Sequence, residues 1–218
     1  GIATNIKAKS GLPFSTGGTT YYVDGTLGSD TTGTGSVGSP WKTINKALST
    51  VSLTGSIIIV KAGTYTSSGS SYVLQWSRAG NTSNPVTIKA ETPGAVTIAA
   101  PSGNTTSTIG AWCVGSTGLR IQDITFTVRG GGNSSSSGIL IQNSSSIELY
   151  RCTFVNMGGA SVLWRGGEGT ACSNLWLYAC TLGPCGLDCT GGYYDVKGTH
   201  HAYLGQYQST ASVRSGVE

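Results

Sequence analysis

Side chains able to do chemistry are unevenly placed along this chain. The internal acids after position 160 are Glu168, Asp188 and Asp195, and they stand near Arg165, Lys197, His200 and His201. Tyr193, Tyr194 and Tyr203 share the same stretch. Along the chain it is the one place where acid, base and aromatic groups concentrate. An acid and a base held on either side of a scissile bond can transfer protons during its cleavage. Arg165, Glu168, Asp195 and His201 are therefore the catalytic candidates. A tyrosine ring can stack on a sugar face and a cation can grip a carboxylate, which makes Tyr193, Tyr194, Lys197 and Tyr203 the substrate-binding candidates. If Ala202 and Leu204 point inward from a strand, His201 and Tyr203 point outward together. The alternative is a solvated loop cluster with no substrate.

Other chemistries find less support. Adjacent His200 and His201 would project to opposite faces of a strand, so they could not easily chelate one ion. Cys185 and Cys189 lack a second pair at zinc spacing. No metal or cofactor is expected from these groups. Asp24 and Asp30 lie in a Gly-rich loop, where aspartate commonly makes turns. Asp123 and Glu148 flank inward-facing strand residues and do not repeat in register with each other.

The elements that must hold these residues follow from composition and periodicity. The 218 residues include 34 glycines, 29 serines and 29 threonines, against 13 Lys+Arg and 9 Asp+Glu. Such a chain is too poor in Glu and Lys for a coiled coil. Its net charge of +4 is scattered without a basic run, which argues against a nucleic-acid partner. The longest aliphatic run, Ile57-Ile58-Ile59-Val60, is far short of the roughly 18 residues of a membrane span, so no membrane insertion is expected. Few charges, many hydroxyls and clustered cysteines favour an exterior setting: secreted, cell-surface or virion-surface.

A repeat organises the second half. Leu119-Arg120-Ile121-Gln122-Asp123-Ile124-Thr125-Phe126 aligns without gaps to residues 147–154 and 175–182, each 28 residues on. Leu119/Ile147/Leu175 and Ile121/Leu149/Leu177 form apolar columns at period two. Ile124/Cys152/Cys180 and Phe126/Phe154/Leu182 continue inward after a bend. Ile57 and Ile59 are expected to recur as Val86 and Ile88. Second strands, Gly138–Gln142 and Ser161–Arg165, lie between, and residues 201–205 are a candidate third. Units this short cannot bury a face alone and must stack as a β-solenoid. At the front, Ser39 as N-cap and Pro40 at the first position predict a helix with Trp41, Ile44, Leu48 and Val51 on one face, suited to cover the terminal coil. The predicted organisation is an extension over 1–20, a strand, loop and capping helix over 21–56, and about six coils over 57–218. A further strand starts at Val213 and Ser215. The chain ends at Glu218 soon after, so either a fragment or an end covered by a partner subunit is expected.

The cysteines can be read two ways. Cys152 and Cys180 occupy one inward position in consecutive coils, roughly 4.8 Å apart, within disulfide range. They either bridge or stack as small apolar residues. Cys172, Cys185 and Cys189, if oxidised, would pin the loop over 183–192.

Tyr21-Tyr22-Val23-Asp24-Gly25, Gly28-Ser29-Asp30, Gly33-Thr34-Gly35, Pro40-Trp41-Lys42-Thr43-Ile44, Ile59–Tyr65 and Asn84–Ile88 form an ordered set. With the repeats, they resemble the right-handed parallel β-helix, or pectate-lyase-like, superfamily across roughly residues 20–218. The resemblance implies an all-β parallel β-helix acting on a polysaccharide or glycan. That superfamily contains lyases, hydrolases, phage tailspikes and adhesins, so fold alone leaves function open. The scarce acids favour an exterior structural or adhesive module that engages polysaccharide. The alternatives are a polysaccharide lyase or glycoside hydrolase, with calcium if a lyase, and a structural solenoid subunit of a filament or shell. A homo-oligomer or larger assembly fits each.

Overall fold

A computed structural model describes residues 17–67, 72–101, 108–128, 137–156, 161–165, 173–182 and 187–188. In chain order its elements are β1 (Thr20–Val23), α1 (Ile44–Thr50), β2 (Ile57–Val60), β3 (Gly63–Tyr65), β4 (Tyr72–Trp76), β5 (Val86–Ala90), β6 (Val96–Ala99), β7 (Ile109–Val114), β8 (Thr117–Gln122), β9 (Ile124–Thr127), β10 (Ser137–Gln142), β11 (Ser145–Tyr150), β12 (Thr153–Phe154), β13 (Val162–Arg165), β14 (Ser173–Tyr178) and β15 (Leu187–Asp188). They form three sheets, ordered β1-β2-β5-β8-β11-β14, β15-β13-β10-β7-β4 and β12-β9-β6-β3. Every pairing between these strands is parallel. The chain visits the sheets in turn and returns one coil further on, which makes it a right-handed parallel β-helix.

The 28-residue repeat is the coil. Leu119 pairs with Ile147 and Ile147 with Leu175; Ile121, Leu149 and Leu177 follow the same register. All six are at most 1% exposed. Asp123, Arg151 and Ala179 then turn the chain in the left-handed region, at φ 59°, 50° and 51°. Non-glycine residues seldom adopt that region, and its recurrence every 28 residues shows that stacking imposes the corner. Beyond it, Phe126 and Phe154 stack with centroids 4.9 Å apart and planes 8° apart. Glycine makes room for them: a Cβ on Gly138 would lie 2.6 Å from the Phe154 ring and 2.4 Å from the Ser161 carbonyl oxygen.

Two expectations are corrected. The inward residues of β2 are Ile58 and Val60, both 0% exposed, and Ile58 pairs with Ile88. Four consecutive aliphatic residues carry no alternation, so the pattern could not choose the phase of the strand. The helix begins at Ile44, with Thr43 as N-cap, instead of at Pro40. The Asp30 carboxylate accepts from the Lys42 and Thr43 N–H groups at 2.8 and 2.9 Å and from the Thr43 hydroxyl at 2.7 Å. Residues 39–41 are held by the loop instead: Trp41 bridges to Val23, stacks on Tyr21 and donates its indole N–H to Gly33. The predicted apolar face is nevertheless buried, and α1 packs against β1 and β4. On the five-stranded sheet β13 is followed by β15, and residues 201–205 lie outside the described residues. Val213 and Ser215 also lie outside them.

Replacing Phe154 by alanine empties one rung of the ring stack and should lower unfolding free energy by about 3–5 kcal/mol. Gly138→Ala, which overfills the same rung, should lower it by about 1–3 kcal/mol. Urea unfolding followed by circular dichroism measures both.

Candidate functional site

On the six-stranded sheet, alternate residues face away from the core. Two outward rows cross the coils. One runs Thr87, Arg120, Glu148, Trp176; the other runs Lys89, Gln122, Tyr150, Tyr178. Strand register therefore sets residues far apart in sequence side by side.

In the first row, Arg120 and Glu148 form an ion pair with Nη2–Oε2 at 2.6 Å and Nε–Oε2 at 2.7 Å. Their side chains are only 3% and 7% exposed. A buried charge of either sign is costly without its partner. At the neighbouring corner, Asp123 accepts from Arg151 through both oxygens, at 2.6 Å (Nε–Oδ1) and 2.7 Å (Nη2–Oδ2). Gln122 adds a third hydrogen bond at 2.9 Å. Burial works against the Asp123 charge, but hydrogen bonds from Arg151 and Gln122, with the Arg151 and Lys89 charges, outweigh it and hold the carboxyl below its ordinary value. The Arg151 guanidinium also lies 4.3 Å from the Tyr150 ring centroid. Tyr150 and Tyr178 stack at 4.7 Å with planes 2° apart, and Tyr178 is 36% exposed. The result is an aromatic ladder with a cation beside it. Both carboxylates are already engaged by guanidinium groups, which leaves neither free to exchange protons.

This cluster was missed in the sequence because its members are 28 residues apart and look isolated along the chain. The signal was present: Arg120 with Glu148, and Asp123 with Arg151, occupy equal repeat positions with opposite charge. The expected concentration after residue 160 is not what the described residues bring together. The backbone of Arg165 ends β13, opposite Gln142 on the five-stranded sheet. Glu168, Tyr193, Tyr194, Asp195, Lys197, His201 and Tyr203 lie outside the described residues. Cys172, Cys185 and Cys189 do as well. Cys152 and Cys180 are free and buried, not bridged. Their thiols donate to the carbonyls of Ile121 and Leu149, one coil back, each at 3.4 Å. Cys113 is also free, and burial pushes its thiol up to about 12.

An open cavity of about 510 Å³ lies beside α1 and is lined by Asp30, Asn45, Lys46, Gln75 and Arg78, among others. Its groups are largely spent on the fold. Asp30 holds the helix start, and Arg78 donates to the Leu48 and Val51 carbonyls at the helix end. Among the described residues, no three His, Cys, Asp or Glu side chains converge to hold a metal ion. No helix among them is long and apolar enough to cross a membrane.

A family model described as a protein of unknown function, DUF1565, matches residues 26–164, more than half of the chain. The chain belongs to the DUF1565 family. Its outer-sheet cluster, from Lys89 to Arg151, falls within that match. This DUF1565 chain is also similar in fold to the GH136 lacto-N-biosidase from Eubacterium ramulus. The native structure aligns at TM-score 0.57 and 12% identity over 74% of this chain and 33% of that one. Its selenomethionine derivative aligns at TM-score 0.56 and 14% identity. The DUF1565 chain thus spans about a third of the length of the lacto-N-biosidase. A rhamnogalacturonan lyase aligns at TM-score 0.47 and 14% identity over 86% of this chain and 63% of that one. No curated protein matches the chain.

The two ion pairs lead to separable expectations. Glu148→Ala leaves the Arg120 charge buried without its carboxylate and should cost about 3–5 kcal/mol in chemical unfolding. Asp123 titrates lower when folded than the roughly 3.9 of an unfolded aspartate. Its stabilisation is therefore complete above that value and is lost as pH falls through the folded value. Urea midpoints measured from about pH 7 down to about pH 2 should fall less steeply in Asp123→Asn than in the native chain.

Proposed function

We propose that this chain is a β-helix module that engages polysaccharide outside the cell or on a virion surface, in a structural or adhesive role. The observation that carries this reading is the Tyr150–Tyr178 stack with Arg151 beside it. Flat aromatic faces suit the apolar faces of sugar rings, and a guanidinium suits their hydroxyls and carboxylates. The rows run across the coils at strand spacing, so a polymer can meet equivalent groups on successive rungs. The module takes part in a homo-oligomer or larger assembly, as long solenoids commonly do.

An enzymatic reading has one observation in its favour, the fold shared with a lacto-N-biosidase. In that reading Arg165, Glu168, Asp195 and His201 carry the proton transfers, and Tyr193, Tyr194, Lys197 and Tyr203 hold the substrate. The Asp123 and Glu148 carboxylates do not supply it, because both are held by arginine.

A glycan array probed with the full chain should show retention on a subset of polysaccharides. Tyr178→Ala should weaken that retention about tenfold, the loss of roughly 1.4 kcal/mol of stacking, with unchanged circular dichroism. Absence of retention on every glycan, or an unchanged Tyr178→Ala variant, refutes the binding surface. Release of shortened or unsaturated sugars from the same polymers would favour the enzymatic reading.

A further inference from the structure

Cys152 and Cys180 sit one coil apart, between the paired residues Tyr150/Tyr178 and Thr153/Thr181. Each directly follows a left-handed corner residue, Arg151 or Ala179, and faces the core two residues after its coil's tyrosine. Both are free, at 0% and 4% exposure. Equivalent positions on adjacent parallel strands are roughly 4.8 Å apart, inside the Cα range of about 4.4–6.8 Å that a disulfide spans. No other pair of free cysteines among the described residues shares a column. Cys113 is in β7, on another sheet.

We propose that Cys152 and Cys180 are an oxidation site, at which a peroxide closes a cross-coil disulfide that locks together the two coils bearing Tyr150 and Tyr178. Cys180 is the more accessible sulfur and reacts first. Its sulfur attacks hydrogen peroxide, becoming a sulfenic acid and releasing one water. The Cys152 sulfur then attacks that sulfur, displacing a second water and forming the S–S bond. Two S–H bonds and one O–O bond are consumed, two waters leave, and the two electrons lost by sulfur reduce the peroxide. The bond closes a loop of nearly one coil, which restricts the unfolded chain. This site stands apart from the proposed glycan binding, and its formation is read without any ligand.

The test treats the full folded chain with hydrogen peroxide, blocks remaining thiols with iodoacetamide under denaturing conditions, and maps peptides by mass spectrometry without reductant. The expected result is a Cys152–Cys180 linked peptide pair that dithiothreitol separates. The unfolding midpoint should rise by several degrees on oxidation and fall back on reduction. Cys113→Ser should leave the link intact. Cys180→Ala should abolish it and the shift together. Both thiols recovered as alkylated cysteine from peroxide-treated, still-folded protein would overturn the proposal, as would either one bridged to a different cysteine. The wild-type map decides this even if a variant fails to fold.

Discussion

A single β-coil has one apolar face and nothing of its own to bury it against. Each coil therefore depends on the main-chain hydrogen bonds that hold the next one in parallel register. Once that register is set, residue n meets residue n+28 along the six-stranded sheet through the last three coils, whatever their types. Inside, this favours like on like. Leucine and isoleucine columns pack flat, and the Phe126 and Phe154 rings overlap nearly parallel. Ser116 and Ser144 share one buried hydrogen bond at 3.1 Å, so even a polar position is satisfied by its own repeat.

On the outer face and at the corners the same rule demands opposites. Like charges one rung apart would repel at close range, so an arginine answers each buried acid: Arg120 to Glu148, and Arg151 to Asp123. Lys61 and Glu91 repeat the arrangement at 2.6 Å one corner earlier, although with greater exposure. A chain with nine acids can still build strong electrostatics, because register sets three of them, Glu91, Asp123 and Glu148, beside a cation. That pairing also limits what they can do. A carboxylate gripped through both oxygens positions a neighbouring arginine and a tyrosine; it does not shuttle protons.

The columns after residue 119 were legible because alternation and a gapless 28-residue repeat agree, and each strengthens the other. The phase of Ile57–Val60 was not, because four aliphatic residues in a row fit either face. The helix start was misplaced for a different reason. Ser39 and Pro40 are sound local signals, yet Asp30, twelve residues before Lys42, captures the backbone at 42–43 and moves the cap to Thr43. Local propensity lost to a contact it could not anticipate. The Tyr150–Tyr178 ladder was overlooked because tyrosines at a strand position read as filler until their rungs are stacked.

The amino-acid order by itself determined that this protein would be a solenoid of short strands, which residues of its later coils face inward, and that acids would be scarce on it. Those properties are periodic and local, and a periodic pattern is visible in one dimension. Only the tertiary structure decided which charges meet, where the left-handed corners fall, and that a cation, two tyrosines and two thiols share one edge of two adjacent coils. Such contacts are made between chain segments a full coil apart, and their distance is fixed by the hydrogen-bonded register of the sheets rather than by any neighbour in sequence.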